Sequence, residues 1–193
     1  KINVITTLIK KVNSLIIVGA MANNFFIYKN IKIGKSLVEK DTKELIEDIY
    51  KKAKENNCEV MIPEDCMVAK TYGGNGKYKS IDKIEEDEII LDIGVNTIKS
   101  IKKKIEESNT VLWNGPAGYF ENPNFANGSI KIAKKIIENN KLNKIFSVVG
   151  GGDTVSFLNN LNVVDDFNFV STAGGAFLEY LEGKELPGIT ALD

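Results

Sequence analysis

Chemistry in this chain concentrates where apolar runs end in glycine. The clearest case is Ile145-Phe146-Ser147-Val148-Val149, then Gly150-Gly151-Gly152-Asp153-Thr154, then Val155-Ser156-Phe157-Leu158. A buried strand delivers the chain to a site. The glycines let backbone approach a ligand closely, and the helix that follows opens with free N–H groups and a partial positive charge suited to phosphate. Asp153 falls in the first helical turn, where the dipole stabilises a carboxylate. Beside a polyphosphate it would repel unless a divalent cation lay between them, and Mg²⁺ is held by one or two carboxylates plus phosphate oxygens. The plainer alternatives are a tight turn for the glycines and a helix cap for Asp153 or Thr154.

The same grammar recurs at Leu15-Ile16-Ile17-Val18-Gly19-Ala20 and at Phe167-Asn168-Phe169-Val170-Ser171-Thr172-Ala173-Gly174-Gly175. In an open α/β sheet such strand ends share one rim, so the three clusters predict one crevice. A fourth segment, Trp113-Asn114-Gly115-Pro116-Ala117-Gly118-Tyr119-Phe120-Glu121, combines a strand end, a rigid Pro-Gly turn, two aromatics and an acid. It suits the wall of a nucleoside site, with Glu121 accepting from vicinal ribose hydroxyls. Tyr119 and Phe120 serve equally as core residues.

Other chemistries are excluded by what the sequence lacks. All 25 positive charges are lysine, there is no histidine, and the formal net charge is -1. Histidine base catalysis and guanidinium clamps are therefore absent, and no basic excess points to nucleic acid or a membrane surface. Phosphate must be met by backbone N–H groups, lysine, helix ends and metal. Cys58 and Cys66 fit no zinc or redox spacing and read as buried thiols in a reducing compartment. No apolar run approaches the roughly 18 residues of a membrane span. Neither Gly-x-x-x-x-Gly-Lys-Ser/Thr nor Gly-x-Gly-x-x-Gly occurs; Met21 and Asn24 stand where a dinucleotide site would have its later glycines. The chain opens on Lys1-Ile2-Asn3 with no initiator Met, which predicts a piece of something longer.

The elements that must position these residues follow from periodicity. Ile2, Ile5, Leu8, Ile9 and Val12 predict an amphipathic helix, and residues 21–28 another. Asp41 is expected to cap a helix that turns Leu45, Ile46, Ile49, Tyr50 and Ala53 to one side. A helix over 94–107 and one over 125–138, with Ile130, Ala133, Ile136 and Ile137 inward, complete the set. Strands are expected at 15–18, 59–62, 88–93, 110–113 and before the last two glycine clusters. Residues 70–80, rich in glycine and tyrosine, read as a loop or hairpin turn outside the core. Strands alternating with helices predict one α/β domain: a Rossmann-like parallel sheet with helices on both faces, a three-layer α/β/α sandwich.

Taken together, residues 113–121, 150–154, 171–176 and Leu181-Glu182-Gly183-Lys184-Glu185-Leu186-Pro187-Gly188 resemble phosphoglycerate kinase, in that family's order and spacing. The resemblance covers essentially the whole chain, but only the family's C-terminal, nucleotide-binding half. It implies reversible phosphoryl transfer between 1,3-bisphosphoglycerate and ADP, giving 3-phosphoglycerate and ATP, with Mg²⁺ on the nucleotide. The enzyme would be a cytoplasmic glycolytic one, monomeric at full length. The glycerate substrate would sit on an N-terminal domain that lies outside residues 1–193, and domain closure would bring the two substrates together.

By resemblance, Gly151, Gly152, Asp153 and Thr154 contact the nucleotide phosphates, with Asp153 on the metal. Glu121 holds the ribose. Asn114, Pro116 and Tyr119 line the cleft, and Gly19, Ile90 and Leu91 wall the base. Gly174 and Gly175 aim a helix N-terminus at the transferring phosphoryl group, and Lys1 matches the second lysine of the family's Gly-Gly-Ala-Lys-x-x-Asp-Lys motif. Two departures stand out. Val18-Gly19-Ala20-Met21 replaces the usual Gly-Gly-Gly-Met, so that a methyl crowds the base pocket, and Ala173 replaces the first glycine of Ser-Thr-Gly-Gly-Gly. The family's preceding strand, central in its sheet, also lies upstream of Lys1, so the resemblance implies an empty central sheet position that something else is expected to fill. Without the second domain, the piece itself is expected to turn over no substrate. A non-catalytic nucleotide-binding or interaction module on the same fold is the alternative.

Overall fold

The computed structural model describes residues 2–191. In chain order the elements are α1 (Ile2–Leu8), β1 (Ser14–Ile16), α2 (Ala20–Tyr28), α3 (Lys43–Glu55), β2 (Glu59–Met61), β3 (Asp65–Ala69), β4 (Lys77–Ser80), β5 (Ile89–Ile93), α4 (Val95–Glu106), β6 (Thr110–Asn114), α5 (Asn127–Lys141), β7 (Phe146–Gly150), α6 (Gly152–Asn160), β8 (Phe169–Val170), α7 (Gly175–Leu181) and α8 (Pro187–Thr190). The α/β reading holds, with parallel sheets flanked by helices.

Three separate sheets form among the described residues: β1–β2, β4–β3–β5 and β6–β7–β8. The first and last are parallel. The pairs β1–β2 and β6–β7 are not bonded to each other, so the strands form no continuous sheet. The middle sheet adds an antiparallel unit beside the parallel ones. β3 pairs antiparallel with both β4 and β5; only residues 70–76 separate β3 from β4, too few for a crossover and enough for a hairpin. The hairpin read at residues 70–80 is real, and β4 is its second strand. β3 itself went unread: all five of its residues are buried, so its sequence shows no alternation.

Each flank has its own core. Ile5, Ile9, Ile17, Phe25, Phe26, Ile46 and Ile49 join α1, α2, α3 and β1. Ile98, Ile101, Trp113, Ile132, Ile136, Val149, Phe157 and Leu158 join α4, α5 and α6 to β6 and β7. Ile16 and Val18 pack against that second core as well, which ties the flanks together. Trp113 sits on Phe157 and Phe167, and Phe120 on Phe157. These aromatics are core, the plainer of the two readings of this segment.

Helix ends show a shared device. α2, α3, α5 and α6 are each followed within two residues by an asparagine with positive φ, namely Asn30, Asn57, Asn143 and Asn162. Asparagine tolerates the left-handed conformation that glycine usually supplies at this position. Asp41 also has φ +56° and corrects the expected cap. The N-cap of α3 is Thr42, with no side-chain hydrogen bond, because the left-handed backbone at Asp41 places it one residue outside the helix.

Candidate functional site

The tips of β6, β7 and β8 lie side by side. Asn114 is in register with Gly150, Val149 with Val170, and Ser171 N–H donates to Val149 O at 2.8 Å. Residues 114–121, 150–154 and 171–175 therefore leave the sheet along one edge, as parallel pairing requires. The first cluster joins them: Gly19 has φ +63°, and a methyl there would lie 3.0 Å from Pro116 O.

Between these turns opens a cleft of about 240 Å³. Of the residues expected there, Gly19, Ile90, Leu91, Pro116, Tyr119, Glu121 and Asp153 line it. Tyr119 is packed edge-on against Tyr72, 5.1 Å between rings, and Asn122 Nδ2 donates to Tyr72 O at 2.9 Å. The hairpin turn thus closes one side of the cleft.

The others stand beside the cleft and not in its lining. Asn114 lies over Gly151, where a methyl would fall 2.4 Å from its Oδ1 and where φ is +89°. Thr154 is fully buried, and its hydroxyl accepts Gly115 N–H at 2.7 Å. That side chain fastens two turns together. Gly174 and Gly175 follow β8, where Phe177 of α7 covers Gly150. Lys1 lies outside the described residues.

Two helices point uncapped starts at this region. Neither α2, with N-cap Gly19, nor α6, with N-cap Gly151, has a side-chain cap. Val155 N–H bonds to Gly151 O, so the N–H groups of Gly152, Asp153 and Thr154 precede the first intrahelical bond of α6. Asp153 is exposed beside them. No cluster of three potential metal-ligating side chains occurs among the described residues, so a cation here would be held by the Asp153 carboxylate together with its ligand's oxygens, a donor set that fits Mg²⁺.

Several cleft residues were not read from the sequence. Asn23 is 3% exposed; its Nδ2 donates to Leu37 O at 2.8 Å, while its Oδ1 has no hydrogen-bond partner among the described residues. Asn24 Oδ1 accepts Glu39 N–H at 2.9 Å. The pair pins residues 37–39 as a strap along the cleft, and the readable signal was two adjacent amides inside an apolar helix. Asp92, 2% exposed, lies on the floor; its signal was a lone carboxylate inside an apolar strand. Burial pushes Asp92 up to about 7. Cys66 also lines the cleft, but burial, then Asp65 and Glu88, push its thiol up to about 12, which keeps it protonated and unreactive.

The family model described as phosphoglycerate kinase matches residues 1–184. Curated relatives named phosphoglycerate kinase include one from Methylorubrum extorquens strain PA1, 45% identical across the whole chain, and one from Azorhizobium caulinodans, 43% identical. The chain spans about half the length of these relatives, 48% and 49%. A solved structure of phosphoglycerate kinase from Coxiella burnetii superposes with a TM-score of 0.93 at 38% identity, covering 100% of this chain and 49% of that one. A second, from Pyrococcus horikoshii OT3, shares the fold with a TM-score of 0.77 at 24% identity. With the family model matching 184 residues and the strand-tip geometry already described, the chain belongs to the phosphoglycerate kinase family.

Proposed function

We propose that residues 1–193 form the C-terminal, nucleotide-binding domain of a phosphoglycerate kinase, supplying the ADP/ATP half of reversible phosphoryl transfer with 1,3-bisphosphoglycerate and 3-phosphoglycerate. The observation that carries this reading is the uncapped start of α6, with Asp153 in its first turn, at the edge of a cleft walled by Pro116, Tyr119 and Glu121.

The N–H groups of Gly152 and Asp153, both exposed, suit a polyphosphate, since they precede the first intrahelical bond and the helix dipole favours negative charge. Ile90 and Leu91 form an apolar surface for a base, and Glu121 reaches the place of a ribose. When bound, Mg²⁺ neutralises phosphate charge, and Asp153 would hold it. Phosphoryl transfer asks the protein for positioning and charge stabilisation more than covalent chemistry, which a site without histidine or arginine can supply. Lys1 and the start of α7 at Gly175 are proposed to face the transferring group. The glycerate substrate is assigned to a separate N-terminal domain, whose closure would exclude water. A monomeric, cytoplasmic enzyme follows from the same reading.

Calorimetric titration with Mg-ADP tests it. The expected result is weak binding that falls about tenfold or more in Asp153→Asn. A coupled assay on this chain alone should read no turnover, for want of the second substrate's site. Absence of Mg-ADP binding at millimolar concentration would instead favour a non-catalytic module that kept the fold.

A further inference from the structure

We propose that Asp92 is a positioning residue for the cleft: its buried carboxylate fixes the wall formed by residues 116–121 against β5 and the start of α5. Its consequence for nucleotide affinity rests on the reading above.

Both carboxylate oxygens are engaged. Oδ2 accepts Gly128 N–H at 2.7 Å and Oδ1 accepts Ile93 N–H at 2.8 Å. Gly128 is in the first turn of the 15-residue α5, so the carboxylate faces the positive end of a long helix. The neighbourhood is shaped to it. A methyl at Gly118 would lie 2.6 Å from Oδ1, and one at Gly128 2.4 Å.

The wall begins at these same residues. Tyr119 N–H donates to Leu91 O at 2.7 Å, and Ala117 N–H donates to the buried Ser129 Oγ at 2.8 Å. The wall is thus held from beneath by β5 and from behind by the first turn of α5. Asp92 stands where the two supports meet.

Among the described residues no lysine pairs with this carboxylate, and burial outweighs the two N–H donors that favour its charged form. The titratable side chains that share the cleft are Cys66 from β3, Tyr72 from the hairpin turn, Tyr119 and Glu121 from the wall, and Asp153 from α6. β3 places Met67 opposite Asp92, and α5 meets it through backbone. Protonated, the buried side chain holds no charge away from water and still accepts through its carbonyl oxygen. Ionised, it accepts both bonds with charge assistance, but the charge stands buried with no cation beside it, and opening the wall to water relieves that cost. A group held only for packing would carry no such dependence into the cleft.

The test compares the chain with Asp92→Asn between pH 6 and 8.5. One arm follows protection factors for the Tyr119 and Gly128 amides, together with fluorescence of Trp113. This is the only tryptophan, and its Nε1–H donates to Gly115 O at 2.8 Å. The other arm follows Mg-ADP affinity by calorimetry. The expected result is a loss of protection at both amides as pH rises through the neutral range. With it comes a fall in Mg-ADP affinity of about tenfold beyond the background that Asp92→Asn retains. Flat protection and flat Trp113 emission in the wild-type chain overturn the proposal, whether or not the variant folds. If Mg-ADP binds normally in that case, the nucleotide reading survives alone. If the protection profile appears but Mg-ADP does not bind, Asp92 keeps its positioning role and the nucleotide reading fails.

Discussion

The floor of the cleft and its rim both depend on glycine, for opposite reasons. On the floor, the space a side chain would need is already filled by protein. A methyl at Gly118 would meet Asp92 Oδ1, Leu91 O and Phe125 O, all at 2.6 Å. On the rim, Gly152, Gly174 and Gly175 have no described residue within 4 Å of where a methyl would stand. Floor glycines let two parts of the fold touch. Rim glycines leave room that the protein itself does not use, and an open approach beside uncapped helix starts is what a phosphate-sized ligand requires.

Substitutions at the two places should therefore separate stability from binding. The largest effect is expected for Gly118→Ala. All three colliding atoms belong to backbone or a buried carboxylate, so the chain should lose about 3 kcal/mol in urea denaturation; unchanged stability would show that the floor is not closed. Next comes the floor's carboxyl. Its folded pKa is raised to about 7 from 3.8, so the folded state binds this proton more tightly than the unfolded chain. Its contribution to stability is full below the unfolded value and is lost as pH rises through about 7. Between pH 5 and 7 the loss should reach about 2 kcal/mol, and Asp92→Asn should flatten that slope. The pH dependence of the denaturation midpoint measures it.

Thr154→Val probes the join between the two regions. It keeps the shape but leaves Gly115 N–H without its acceptor, at a cost of about 1 kcal/mol or slightly more; equal stability would mean that the 115–118 turn stands without this bond. The smallest effect is expected on the rim. Gly152 has an ordinary negative φ and open surroundings, so Gly152→Ala should stay within about 0.5 kcal/mol of the parent. If the nucleotide reading is right, the same variant weakens Mg-ADP binding in calorimetry, a split that Gly118→Ala cannot give.

Much of this was legible because it is local. The apolar runs before Gly150 and Gly19 announce strands, although β1 ends at Ile16 and is only half-buried, and the spacing of Ile130, Ala133, Ile136 and Ile137 announces α5. The unread parts are those whose signal is not local. β3 shows no alternation because neighbours cover it on every side. Asp41 looked like a cap by type, but the backbone turned left-handed there and passed the position to Thr42. Thr154 looked like a phosphate ligand by position, yet its hydroxyl is used by a turn 39 residues away in sequence.

The strands that end in glycine and the turns that follow them were set by the chain's own pattern, because secondary structure and helix-end chemistry arise from residues a few positions apart. The fold alone decided which glycines face protein and which face solvent. It also decided that an aspartate in the middle of a strand would lie beneath the cleft, since those outcomes depend on segments distant in sequence meeting across the floor.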